Sequence, residues 1–162
     1  MSELKEYKFS YRELENDSLL NKEDFLLLSK ARTATEKAYA PYSNFFVGAA
    51  ALLANKEIIT ATNQENASFP AGICAERTLL STITSLYGAI AIDTIAISYN
   101  KQDGNSDRPV SPCGICRQSL IEYESRVKQP IRLILAGMQG KVIIIDDVPA
   151  LLPLNFSADD LL

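Results

Sequence analysis

The chain carries three cysteines and no histidine, and the cysteines stand in two clusters. The first is Cys74-Ala75-Glu76 and the second is Pro112-Cys113-Gly114-Ile115-Cys116. If the two clusters serve one centre, Cys74 and Cys113, 39 residues apart, have to converge, and the fold between them is bound to bring them together. Three thiols suit a zinc ion, which prefers tetrahedral sulfur and nitrogen ligands. Three protein ligands leave a fourth position for water, the mark of a catalytic rather than a structural zinc. A structural site would want a fourth ligand, commonly from a second C-x-x-C pair, and only an Asp or Glu is left to supply one. Glu76, two places after the first cysteine, is then the proton carrier beside that water. The plainer alternatives are that the cysteines are small buried residues and that Glu76 is an acid favoured by a helix start.

The absence of histidine removes Ser-His, Cys-His and His-ligated zinc chemistry, so acid-base work falls to carboxylates, Lys, Tyr or Cys. A net charge of −4 argues against affinity resting on a phosphate backbone, so no nucleic-acid partner is expected. With 47% apolar and 22% charged residues, 162 residues fit one soluble globular domain, residues 1–162. The longest apolar run, Phe45 to Ala54, is too short to span a bilayer, so no membrane partner is expected. An odd cysteine count behind a polar first twenty residues fits a reducing, cytoplasmic setting.

Along the chain, Met1 to Leu20 reads as an N-terminal extension, a loose arm or a short strand, with Tyr7, Phe9 and Tyr11 at alternate positions. Asn21 caps a helix that carries Leu27, Ala31, Ala34 and Ala38 on one stripe and ends near Ala40, before Pro41. Val47–Leu53 and Ile58–Thr62 predict a strand hairpin. A helix begins near Cys74, lines Leu79, Ile83 and Leu86 along one face and stops at Gly88. Ile90 to Tyr99 predicts a strand reached by a parallel crossover. Ser111 as N-cap and Pro112 at the first helical position open a further helix, which puts Cys113 and Cys116 on one face of its first turn. Ile131–Ala136 and Val142–Ile145 follow as an antiparallel pair around Gly137–Gly140. The fold class is α/β: a three-layer α/β/α sandwich with a five-stranded mixed sheet. Both cysteine clusters fall at helix N-termini, where the dipole favours thiolates. Three thiolates over-neutralise Zn²⁺, and Arg77 and Arg117 are expected to hydrogen-bond ligand sulfurs and offset that charge, the plainer alternative for either being a solvated helix residue.

The cysteine motifs stand among other ordered ones: Pro41-Tyr42-Ser43-Asn44-Phe45, Asn63-Gln64-Glu65-Asn66-Ala67, Gly72 to Arg77, Ser111 to Gln118, and Leu151-Leu152-Pro153 with Phe156. Together, from Pro41 to the C-terminus, they resemble the small zinc-dependent cytidine deaminases of the three-cysteine type. The resemblance implies hydrolysis of cytidine and 2′-deoxycytidine to uridine and 2′-deoxyuridine with release of ammonia, as in pyrimidine salvage. It implies that Glu76 takes a proton from water, passes it to the ring nitrogen and later helps protonate the departing amine. Asn63 and Glu65 would hold the ribose hydroxyls, Phe45 would pack on the pyrimidine, and Ala75 and the region of Ser111 would meet the base. Phe156 would reach a neighbouring subunit's site in a homotetramer. Three other readings stay open: a different cytosine-like substrate such as an aminonucleoside antibiotic, a polynucleotide-editing deaminase, and a non-enzymatic zinc-stabilised binding module.

Overall fold

The computed structural model describes residues 2–161; Met1 and Leu162, the ends of the range assigned to one domain, lie outside it. The first helix, α1, spans Lys22–Ala34. Asn21 caps it, its side-chain oxygen accepting from the Asp24 amide at 2.9 Å. Leu27, Leu28, Ala31 and Ala34 are buried along one face, which is what drives the helix onto the sheet. α1 ends at Ala34, short of the expected Ala40. The Thr35 hydroxyl donates to the Arg32 carbonyl at 2.7 Å, and the chain tightens into a 3-10 turn over Thr35–Lys37. Tyr39 is thereby free to bridge Asn63 and Glu65 through its backbone.

Strands β2 (Phe45–Leu53) and β3 (Ile58–Thr62) form the expected antiparallel hairpin. Helix α2 (Ala75–Tyr87) is closed by Gly88 at φ +69°, and β4 (Ile92–Lys101) follows. Helix α3 (Gly114–Val127) leads to β5 (Arg132–Ala136) and β6 (Val142–Ile145), an antiparallel pair. The sheet has six strands rather than five. Arg12–Leu14, β1, pairs antiparallel with β6, and the order is β1-β6-β5-β4-β2-β3. Its three residues are too few and too polar to announce a strand, and what fixes them is the neighbour: Arg12 reaches Asp146 at 2.8 Å and Lys141 reaches Glu13 at 2.6 Å.

The crossover through α2 also differs from a simple adjacent pairing. β4 lies against β2, antiparallel, so β3 and β4 run the same way with β2 between them. The parallel neighbours are β4 and β5, joined through α3. Helices cover both faces as expected. α1 packs on Ala50, Leu52, Ala96, Ile134 and Val142. α2 and α3 pack on the alternate set, Ala49, Ala51, Ile95, Ile97 and Leu133. A strand buried on both faces reads as an unbroken apolar run, which is why β2 shows no polar alternation.

Two details set α1 close and in register. A Cβ on Gly48 of β2 would lie 2.1 Å from the Ala31 carbonyl oxygen, so only glycine admits the helix. At the other end, buried Asp24 accepts from both terminal nitrogens of Arg132, at 2.7 and 2.5 Å, tying the helix start to β5. Among the described residues no helix is long and apolar enough to cross a membrane.

Candidate metal and substrate site

The two cysteine clusters are built alike. Cys74 is the N-cap of α2 and Cys113 the N-cap of α3, both in extended backbone conformation. Neither thiol caps its helix, so both sulfurs are free to point elsewhere. The Thr78 amide donates to the Cys74 carbonyl at 3.0 Å and the Arg117 amide to the Cys113 carbonyl at 2.9 Å, the first bonds of each helix. α3 therefore starts two residues after the expected Ser111-Pro112 position. Proline keeps Ser111 out of helical geometry, and the extended step continues through Cys113. Cys116, in the first turn, is buried behind Cys113.

The fold brings the three sulfurs together. Cys74 and Cys113 sulfurs lie 3.7 Å apart, those of Cys113 and Cys116 3.5 Å, and all three fall within 4.8 Å of one another. Zinc–sulfur bonds of about 2.3 Å at the tetrahedral angle set sulfurs roughly 3.8 Å apart, so the cluster has the dimensions and the donor chemistry of a zinc centre. A hydrogen bond with Cys116 holds the Cys74 thiol down, to about 6, with the Arg77 charge adding to the effect. The same bond and burial push the Cys116 thiol up.

Glu76, the second residue of α2, is 5% exposed. Burial pushes its carboxyl above the ordinary range, offset in part by its own amide and by Cys116. Beside it opens a cavity of about 480 Å³, which Cys74, Ala75, Glu76 and Cys113 line from the helix starts. Phe45, Asn63 and Glu65 line it from the hairpin. The Phe45 ring stacks on Tyr99 at 4.7 Å and 18°, which fixes its plane. The Asn63 side chain ends β3 by accepting from the Val47 amide at 2.8 Å and donating to the Phe45 carbonyl at 3.0 Å. One Glu65 oxygen accepts from the Tyr42 and Ser43 amides at 2.8 and 3.3 Å. These bonds, the one with Ser43's side chain foremost, hold the Glu65 carboxyl below the usual range.

Val47, Ile97 and Ser43 also line the cavity and were not singled out from the sequence. Val47 sits one step from the register pair Ala49↔Ile97, on the face that carries Phe45, so strand alternation is the signal that would have found it.

Two arginines sit otherwise than expected. Arg117 donates to the carbonyls of Pro112 at 2.9 Å and Leu151 at 3.0 Å, not to a sulfur: it braces the loop that presents Cys113. Arg77 makes no hydrogen bond to sulfur among the described residues and faces the groove between α2 and α3, reaching Cys74 through its charge alone. Phe156 is 59% exposed and its ring lies outside the cavity, while its carbonyl accepts from the Gln118 side chain of α3 at 2.8 Å.

Two helix starts that bring three thiols together and set a buried carboxylate beside one cavity have the donor set of a zinc-binding site. The comparisons give that class its family. The model of the cytidine and deoxycytidylate deaminase zinc-binding region matches residues 21–130. The chain is 38% identical to a cytidine deaminase of Halalkalibacterium halodurans, over 84% of this chain and 96% of the relative. It is 31% identical to a blasticidin-S deaminase of Bacillus cereus, over 80% of this chain and 91% of that one. A crystal structure of cytidine deaminase from Burkholderia pseudomallei superposes with a TM-score of 0.70 at 35% identity, covering 85% of this chain and all of that one. The chain belongs to the cytidine and deoxycytidylate deaminase family.

Proposed function

We propose that this chain hydrolyses free cytidine and 2′-deoxycytidine to the uridine forms with release of ammonia, in cytoplasmic pyrimidine salvage. The observation that carries this is one cavity lined both by Cys74, Cys113 and Glu76 and by Asn63 and Glu65. Cys74, Cys113 and Cys116 are the residues that would hold Zn²⁺. Bound there, zinc supplies the Lewis acidity that makes water a nucleophile near neutral pH.

The chain's own residues do the rest. The pyrimidine lies against Phe45, whose ring Tyr99 backs. Ala75 opens α2, so its amide has no partner within the helix and can meet the base. Glu76 takes the proton of the water that adds at the amino-bearing ring carbon and hands it to the adjacent ring nitrogen. As the carbon–nitrogen bond breaks, Glu76 takes the proton of the newly added hydroxyl and delivers it to the leaving amine, so the oxygen becomes the ring carbonyl and ammonia departs. Its raised carboxyl suits both steps, because a proton carrier works best when poised near the working pH. Glu65 keeps one oxygen for a sugar hydroxyl, and Asn63 keeps one amide hydrogen and one lone pair. Arg77 offsets thiolate charge at Cys74, and Arg117 positions the Cys113 loop. Phe156 completes the cavity of a neighbouring copy in a homotetramer, a reading its 59% exposure supports.

Ammonia release from cytidine, 2′-deoxycytidine and blasticidin S by zinc-quantified protein tests this reading. Turnover of both nucleosides is expected. No turnover of either at one zinc per chain would refute it, and turnover of blasticidin S alone would move the substrate to that class.

A further inference from the structure

Residues 2–11 do not fold back on the body. They run exposed into β1, whose outer edge is unpaired among the described residues. An unpaired strand edge is a template for another strand. The leading segment has the character of one. Tyr7, Phe9 and Tyr11 alternate, are 46–55% exposed, and Phe9 and Tyr11 rings lie 6.0 Å apart on the same side.

We propose that this arm pairs with the same arm of a second copy, antiparallel about a two-fold axis at Phe9, joining two sheets edge to edge. The argument is its self-complementarity. With Phe9 opposite Phe9, Tyr7 faces Tyr11, Glu6 faces Arg12, Lys5 faces Glu13 and Leu4 faces Leu14. From Leu4 to Leu14 every cross-strand pair is then like with like in polarity, Lys8 facing Ser10, and the two pairs that carry charge on both sides are opposite in sign, the pattern that stabilises an antiparallel ladder; the one like-charge pair, Glu3 with Glu15, falls beyond β1 at the end of the ladder. Moving the axis by one residue in either direction destroys it. One shift sets Leu4 against Arg12 and leaves Glu6 without its cation, and the other sets Lys8 against Arg12. The charges of β1 also gain a second partner. Arg12 already meets Asp146 and Glu13 already meets Lys141 within the chain, so each acquires an opposite charge on its open side. The contact is isologous, so each arm is fully used by one partner arm.

Cysteine cross-linking in the full zinc-loaded chain tests the register. Residues facing each other across antiparallel strands have Cα atoms about 4.5–5.5 Å apart, within disulfide reach. Phe9→Cys is expected to form a disulfide-linked dimer under mild oxidation, above the level of the unaltered chain with its three native thiols. Tyr7→Cys alone is expected not to, whereas Tyr7→Cys with Tyr11→Cys is. Adding Lys5→Glu and Glu6→Lys to Phe9→Cys leaves β1 and its own ion pairs intact and should cut the cross-linked fraction about tenfold. The proposal is overturned if Phe9→Cys stays unlinked. It is equally overturned if Tyr7→Cys alone links as readily, which a loose arm would do, or if the charge reversal changes nothing. The arms are exposed, so these variants are expected to fold, and circular dichroism verifies that they have.

Discussion

Glu76 and Glu65 border one cavity, and their surroundings drive their carboxyls apart. Burial raises Glu76, while hydrogen bonds from Ser43 and Tyr42 lower Glu65. In the proposed reaction such a split suits proton transfer by the first and fixed charge at the second. Glu76→Gln should therefore lower kcat by about 10²–10⁴ with zinc content unchanged, as steady-state kinetics and metal analysis would show; near-normal turnover would remove Glu76 from the chemistry. Glu65 has a folded value below its unfolded 4.5, so its charge contributes stability above that pH, lost as pH falls through the folded value. Thermal melts against pH should accordingly show Glu65→Gln trailing the native chain most near neutrality, with the gap closing in acid. The sulfur cluster and Glu76 were legible because three thiols in a chain without histidine have few other uses. Val47 and Ile97 were not, because an aliphatic side chain beside a cavity has the same signature as one in a core. Arg117 misled through adjacency. Standing next to Cys116, it spends its guanidinium on carbonyls that only the folded loop and tail bring near.

At the level of elements, apolar runs told where helices and strands lie and local chemistry decided where they stop. The α1 stripe was readable, but its end was set by Thr35 and by the backbone bridge of Tyr39, a tertiary demand invisible to periodicity. Likewise α3 yields its first turn to the extended step that aims Cys113 at Cys74. The hardest constraint on α1 is Gly48. Gly48→Ala puts a methyl group into the Ala31 carbonyl, and the helix has to lift from β2. A loss of about 1–3 kcal/mol in denaturant unfolding is expected; an unchanged midpoint would mean that α1 docks more loosely than the contact implies.

Across the whole molecule, Cys74 and Cys113 lie on different helices, so one ion at the cluster joins α2 to α3. A ligand that binds only the folded chain stabilises it. Stripping metal with a chelator should lower Tm by roughly 5–15 °C, at about 2–4 °C per kcal/mol for this size, and zinc should restore it. A chelated chain with unchanged Tm and undiminished turnover would exclude a metal at the cluster. The layer order and the mixed sheet were legible from alternating elements, whereas β1 was legible only as a choice between a loose arm and a short strand, since three polar residues acquire a strand only from the partner they meet. That partner is β6, residues 142–145, close to the other end of the chain. On a translating ribosome Arg12–Leu14 emerges early, yet the strand it hydrogen-bonds does not exist until synthesis has passed Ile145. The β1–β6 and β5–β6 pairings thus both wait for residues 142–145, and the closing of the sheet's outer edge marks a chain in which both cysteine clusters have already been made.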